Sequence, residues 1–89
     1  MTKRSKLEII RDILTIANKN HNSINITPLI RRSNMSSERF REYYQELLNK
    51  DFLREVNSER NKIVNLTEKG LRFLEKYKAI ISFIEDFDL

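Results

Sequence analysis

The sequence predicts a mostly α-helical fold that carries one small β-hairpin. Three observations predict it. One Gly (Gly70) and one Pro (Pro28) occur in 89 residues, too few for the many turns of a β-sandwich or barrel. Apolar residues recur at spacings of three and four over several stretches, the period of amphipathic helices. Two stretches rich in β-formers, separated by a polar segment, interrupt that pattern once.

Leu7, Ile9, Ile10, Ile13, Leu14, Ile16 and Ala17 put an apolar face on a helix over residues 5–19, with Lys6, Glu8, Arg11, Asp12, Thr15 and Lys19 on the other side. Asn18, Asn20 and Asn22 surround His21 and end the helix, because their side chains compete for backbone hydrogen bonds. Ile24-Asn25-Ile26 reads as one very short strand. Thr27-Pro28 then starts a short helix through Ser33, with Thr27 as N-cap and Pro28 at the first position, where a missing N–H costs nothing. Ser36 caps a third helix that ends near Lys50. Met35 and Phe40 have the spacing of a hydrophobic staple, and Phe40, Tyr43, Tyr44, Leu47 and Leu48 form the buried stripe. Two helices so closely joined are a helix-turn-helix. Ser33 is small where they cross, and the turn lacks the Gly often found there.

Phe52–Val56 and Lys62–Leu66 read as the strands of a hairpin around the polar loop Asn57–Asn61. Thr67 caps a last helix over residues 67–88, with Glu68 in its positive first turn. Gly70 in that turn is expected to permit close packing, since a mid-helix Gly otherwise costs about 1 kcal/mol relative to Ala. A helix-turn-helix followed by a two-stranded hairpin is the winged-helix arrangement.

A chain this short buries only about 60% of its unfolded surface, so a disulfide, a metal or a partner usually supports it. There is no Cys and one His, which excludes a disulfide and a zinc site of the usual ligand set. No metal and no cofactor are expected, and a partner subunit remains. Phe73, Tyr77, Ile80, Ile84 and Phe87 follow the a/d pattern of a coiled coil, and Ile81 and Leu74 widen the stripe. A helix of about 22 residues is roughly 33 Å long, more than a small core covers. Ile80, Ile81, Phe83, Ile84 and Phe87 would then be exposed on a monomer. The expectation is a module over 1–66 and a dimerisation helix over 67–89, giving a homodimer.

Charge divides at the same boundary. The 17 Lys and Arg and 13 Asp and Glu split as 13 against 8 in residues 1–66, and as 4 against 5 in residues 67–89. A basic module suits a polyanion. No apolar run approaches the roughly 18–20 residues of a membrane span, so no membrane partner is expected. No signal peptide is visible and the expected location is the cytoplasm. With no phosphate-binding glycine loop, metal-ligand cluster or Cys nucleophile, no enzymatic activity and no catalytic residue are expected.

These motifs resemble a known family. Leu7-Glu8-Ile9-Ile10-Arg11-Asp12-Ile13-Leu14, Asn34-Met35-Ser36, Phe40 through Leu48, and Leu66-Thr67-Glu68-Lys69-Gly70 are similar to the small archaeal winged-helix DNA-binding proteins typified by the ten-kilodalton Sulfolobus chromatin protein. The resemblance covers nearly the whole chain. It implies a homodimer joined by an antiparallel coiled coil of the last helices, with double-stranded DNA as partner. Asp51-Phe52 departs from the usual Gly-Leu, but Asp tolerates the left-handed conformation better than most residues.

On that reading the helix over 36–50 enters the major groove. Arg39 and Arg41 reach guanine edges or phosphates, Gln45 pairs with adenine, and Ser36 and Ser37 bond phosphate. Arg31 and Arg32 cross the backbone, and Arg60 and Lys62 contact DNA at the wing tip. Lys3, Arg4 and Lys6 form a flexible basic arm. Glu38, Glu42 and Glu46 are four apart on the exposed face. Near phosphate they repel; as solvent-side residues they pair with Arg and Lys; and a Glu can accept from cytosine N4. The function expected is a transcriptional regulator or a chromatin-associated protein. The alternative is a winged helix used for protein–protein contact.

Overall fold

The computed structural model describes residues 4–89. Helix α1 (Lys6–Lys19), strand β1 (Ser23–Asn25), helices α2 (Ile26–Ser33) and α3 (Ser37–Asn49), strands β2 (Leu53–Asn57) and β3 (Lys62–Leu66), and helix α4 (Glu68–Asp86) follow in order. The fold is the expected one: four helices with a small antiparallel sheet. No helix among the described residues is long and apolar enough to cross a membrane.

Ile9, Ile10, Ile13, Leu14 and Ala17 form the buried stripe of α1. They meet Ile24, Leu29, Phe40, Tyr44, Leu47, Leu53, Val64 and Leu66 in one core. Leu7 departs from the expected stripe and is exposed. At about 100° per residue it sits at the edge of the stripe that Ile9, Ile10, Ile13, Leu14 and Ala17 form. Ser5 and Glu8 start α1 as a capping box, each side chain accepting the other's backbone N–H. The S-x-x-E spacing was available in the sequence. At the far end His21 and Asn22 take positive φ of 60° and 64°. Asn22 N–H then reaches back to Ala17 O at 2.9 Å.

Several expected boundaries move: β1 is Ser23–Asn25 rather than Ile24–Ile26, and β2 starts at Leu53 rather than Phe52. Helix α2 starts at Ile26 with Asn25 as N-cap, so Thr27 is not the cap and Pro28 is the third helical residue. All first-turn N–H groups lack intrahelical partners, so Pro28 is as harmless there as at the first position. The hairpin loop is Ser58–Asn61, closed by Ser58 N–H and Oγ both donating to Asn61 O. Asn57 continues β2 opposite Lys62 instead of turning. Strand β1 pairs with β3 on the side away from β2, so the sheet has three strands in the order β1-β3-β2. Its three residues bury Ile24 against the core.

The helix-turn-helix closes without glycine. Asn34 holds φ 60°, and Asn visits that region more easily than most residues. Ser33 is buried and donates to Ile30 O at 2.6 Å, so its small side chain lets α2 and α3 cross. Met35 is half-buried against the core.

Helix α4 is three residues shorter than expected, since Phe87 caps it. Leu71, Phe73 and Leu74 pack on the core. Beyond Tyr77 every residue is exposed, including Ile80 (59%), Phe83 (55%) and Phe87 (64%). The radius of gyration is 13.7 Å, where a compact chain of this length gives about 12 Å. The projecting helix accounts for the excess.

Candidate nucleic-acid interface

Ser36 Oγ accepts from Arg39 N–H at 3.2 Å and so starts α3. Its acceptor is thereby committed to the helix, while Ser37 is exposed beside it. Phe40 and Tyr44, stacked 5.4 Å apart, anchor α3 to the core with Leu47. Ser37, Arg41 and Gln45, at intervals of four, therefore share one flank, and that flank faces the hairpin. With Lys62 and Glu55 they line a groove of 540 Å³ floored by Ile26, Ile30, Phe40, Tyr44 and Leu48. Arg39 emerges on the opposite flank. Arg60 lies in the hairpin loop and is exposed.

The groove carries a polar link absent from the sequence reading. Tyr44 Oη donates to Glu55 Oε1 at 2.6 Å, and Lys62 Nζ stands 3.6 Å from Glu55 Oε2. Glu55 thus ties α3 to β2 and β3, and offsets part of the Lys62 charge. Burial, then the Glu55 carboxylate, push the Tyr44 phenol well above its ordinary range. Tyr44 is a core residue, as its place in the apolar stripe suggests. Its hydroxyl partner is eleven residues away, beyond any local pattern.

The acidic stripe separates into two parts. Glu46 is half-buried and pairs with Lys6 at 2.9 Å and Lys50 at 3.6 Å. The Lys6 hydrogen bond outweighs the opposing effect of burial and, with both ammonium charges, holds its carboxyl below the usual range. Glu38 and Glu42 form no ion pair among the described residues. Helix periodicity puts them with Asn49 on the ridge opposite Phe40, Tyr44 and Leu47.

The basic arm is not free. Arg4 pairs with Asp12 at 2.7 Å and donates to Ser33 O at 3.2 Å. Lys6 begins α1 and is held by Glu46. Lys3 lies outside the described residues. Arg31 and Arg32 stand exposed in the last turn of α2. Arg32 lines a separate 260 Å³ groove with Arg4, Lys19 and Asn34. The structure thus brings Ser37, Arg41, Gln45 and Lys62 together, and places Arg39 on the other flank of α3, Ser36 at its N-cap, Arg31 and Arg32 on α2 and Arg60 in the hairpin loop.

The Leu66-Thr67-Glu68-Lys69-Gly70 segment joins the hairpin to α4. Asp51 holds φ 62°. Its N–H donates to Leu48 O, and Phe52 N–H donates to Leu47 O, a double bond pattern that closes the end of α3. Thr67 Oγ1 donates to Asp51 O at 2.6 Å and accepts from Gly70 N–H at 3.0 Å. A Cβ on Gly70 would stand 2.3 Å from Phe52 O. Only glycine lets α4 lie this close to the turn.

A helix-turn-helix backed by a hairpin, with a basic groove between its third helix and that hairpin, defines a winged helix-turn-helix protein. A sequence profile of the winged helix-turn-helix family matches residues 3–85, and the chain belongs to that family. Its structure is similar to Sso10a-2, a DNA-binding protein from Sulfolobus solfataricus, with TM-score 0.77 and 24% identity over 94% of this chain and 85% of that one. It is similar also to F93 from STIV, a winged-helix DNA-binding protein, with TM-score 0.76 and 20% identity over 89% and 91%. AF1382 from Archaeoglobus fulgidus gives 0.70 and 22% over 96% and 92%. Among curated proteins none matches the sequence.

Proposed function

We propose that the protein is a homodimer that binds double-stranded DNA as a nucleoid-associated transcriptional regulator or chromatin protein of the cytoplasm, without enzymatic activity. The observation that carries this reading is the meeting of Ser37, Arg41, Gln45 and Lys62 along one groove of α3 and the hairpin. Two of the similar structures are described as DNA-binding proteins, which supports it. Arg41 and Gln45 are the base-reading residues, with Arg39 on the other flank of α3. Ser36, Ser37, Arg31 and Arg32 contact the backbone, and Arg60 and Lys62 the DNA beside the wing.

Residues 1–66 are the binding module and 67–89 the dimerisation helix. Phe73, Tyr77, Ile80, Ile81, Ile84 and Phe87 form the interface. Its support is the exposed apolar face of distal α4, where Ile80, Phe83 and Phe87 are more than half exposed, the kind of contiguous patch that marks a protein–protein contact. Glu85, Asp86 and Asp88 crowd the end of the chain. Parallel pairing would place two such sets side by side, whereas antiparallel pairing separates them.

The test is a mobility shift on duplex DNA across a salt series. If about six phosphates are neutralised, log K falls with log[salt] at a slope near −5. Arg39→Ala and Arg60→Ala each weaken binding, and each lowers a phosphate-derived slope by about 1. No shift with any duplex at low salt refutes the DNA reading. That result leaves the protein-contact alternative, which the unpaired Glu38 and Glu42 ridge favours.

A further inference from the structure

We infer that the end of α4 in a second copy docks on the winged module itself. The partner's Phe83 and the partner's Phe87 seat on Phe52 and Phe73, and the partner's Asp86 and the partner's Asp88 meet Lys69, Arg72 and Lys76. The inference rests on the homodimer reading above and carries the contact beyond helix against helix.

Lys69, Arg72 and Lys76 are three and four residues apart, so they share one side of α4. All three are exposed, and none forms an ion pair among the described residues. They rim a groove of 360 Å³ over Phe52 and Phe73, whose ring centroids are 5.3 Å apart. Lys69 Nζ lies 5.4 Å from the Phe52 ring centroid. The floor continues into the apolar stripe, since Tyr77 stacks 6.2 Å from Phe73. An aromatic floor under a cationic rim suits an occupant with rings at its centre and carboxylates at its edge.

The far end of α4 has that composition. Phe83 and Phe87 form a tilted pair 4.9 Å apart and are exposed. Asp86 and Asp88 are exposed and pair with no cation among the described residues. The chain cannot satisfy its own groove with them: fourteen residues of one helix separate Phe73 from Phe87, about 21 Å.

An antiparallel pair has a two-fold axis, so each contact occurs twice and like sides of the two helices meet. Ile80 is the middle residue of the stripe. With Ile80 on the axis, Phe73 and the partner's Phe87 are each seven residues from it and stand level. Tyr77 and the partner's Phe83 stand level by the same count. At about 100° per residue, Phe83 and Phe87 fall on the same side of the line through Phe73 and Ile84 as Lys69, Arg72 and Lys76, with Asp86 outermost. The two aromatic pairs therefore face each other, and Asp86 reaches toward the cations. Glu75 lies on the opposite face, and Glu68 lowers the positive balance without cancelling it. Phe52 also closes α3: its N–H donates to Leu47 O, and its O accepts from Thr67 N–H. Docking there braces the end of α3 against the second copy and fixes how far apart the two copies of α3 stand.

The experiment measures the dimer dissociation constant of the full chain by light scattering over a concentration and salt series, with circular dichroism for folding. One variant reverses the groove (Lys69→Glu, Arg72→Glu and Lys76→Glu), another reverses the end (Asp86→Lys and Asp88→Lys), and a third is Phe83→Ser. Acidic residues near a helix start and basic ones near its end favour the helix, so neither reversal weakens α4 itself. The wild-type dimer is expected to loosen as salt rises. Each reversed variant raises the dissociation constant at least about tenfold at low salt, and Phe83→Ser also raises it. An equimolar mixture of the two reversed variants regains the dimer, because each groove then faces an end of opposite charge. A groove-reversed variant that dimerises like wild type overturns the docking and leaves the homodimer standing; if its DNA salt slope falls as well, the face belongs to phosphate. A mixture that stays as weak as its components also overturns it. Wild-type protein that is monomeric at every concentration sinks the homodimer and the docking together.

Discussion

Gly70 shows how one residue can be readable in kind and hidden in detail. A lone glycine in the first turn of a helix predicts close packing, yet nothing local names Phe52 O as the neighbour 2.3 Å from its missing Cβ. Alanine there gains about 1 kcal/mol of helix propensity, but it meets a backbone oxygen that cannot rotate away. Overpacking of that kind costs about 1–3 kcal/mol. Gly70→Ala is therefore expected to lower the melting temperature, and Gly70→Val to lower it further. Tyr44 makes the second residue-scale case. Burial, and then the bond to the Glu55 carboxylate, raise its folded pKa above the ordinary 10.0. A raised pKa gives stability that is complete below that ordinary value and is lost as pH rises beyond it. Tyr44→Phe should cost about 2 kcal/mol at pH 7 by denaturant unfolding, and the gap to wild type should narrow above pH 10. A gap independent of pH would mean that the hydroxyl contributes only packing.

At the scale of elements, caps and periodicity carried most of the fold. Ser36, Thr67 and, apart from the exposed Leu7 and the half-buried Tyr43 and Leu48, the apolar stripes of α1 and α3 stand where their spacing places them. The start of α2 does not. Asn25, read from the sequence as part of a strand, is the N-cap without a side-chain cap bond, and pairing of β1 with β3 up to Asn25↔Ile63 determines where the helix begins. Ser36→Ala is thus expected to cost about 1 kcal/mol, while Thr27→Ala, exposed and off the cap, stays within about 0.5 kcal/mol of wild type. Equal losses in the two variants would restore Thr27 as a cap. Strand β1 was readable as a strand but its partner was not, since three residues specify no register. The basic arm failed for a similar reason: Asp12 and Glu46 lie eight and forty residues from Arg4 and Lys6, and only folding brings them within 3 Å.

For the whole molecule the decisive feature is surface that the chain cannot cover by itself. The elongated outline, 50 × 31 × 21 Å, comes from α4 running beyond the core with Ile80, Phe83 and Phe87 exposed. Ile80→Asp with Ile84→Asp is expected to yield monomers in light scattering. Because both residues are exposed in the single chain, near-native circular dichroism should survive at low temperature. A dimer unchanged by that pair would remove the proposed interface.

Composition and periodicity by themselves determined the helix-rich class, the order of the elements and the surplus apolar stripe of the last helix. These follow from backbone preferences and from spacings of two, three and four, all of which are local. Tertiary structure alone decided which charges remain free. Glu46, Arg4 and Lys6 look like surface residues in the sequence and are neutralised across elements. Lys69, Arg72 and Lys76 look like helix solvation and stand together beside Phe52. An ion pair depends on distances of a few ångströms between segments far apart in the chain, and no local pattern encodes those distances.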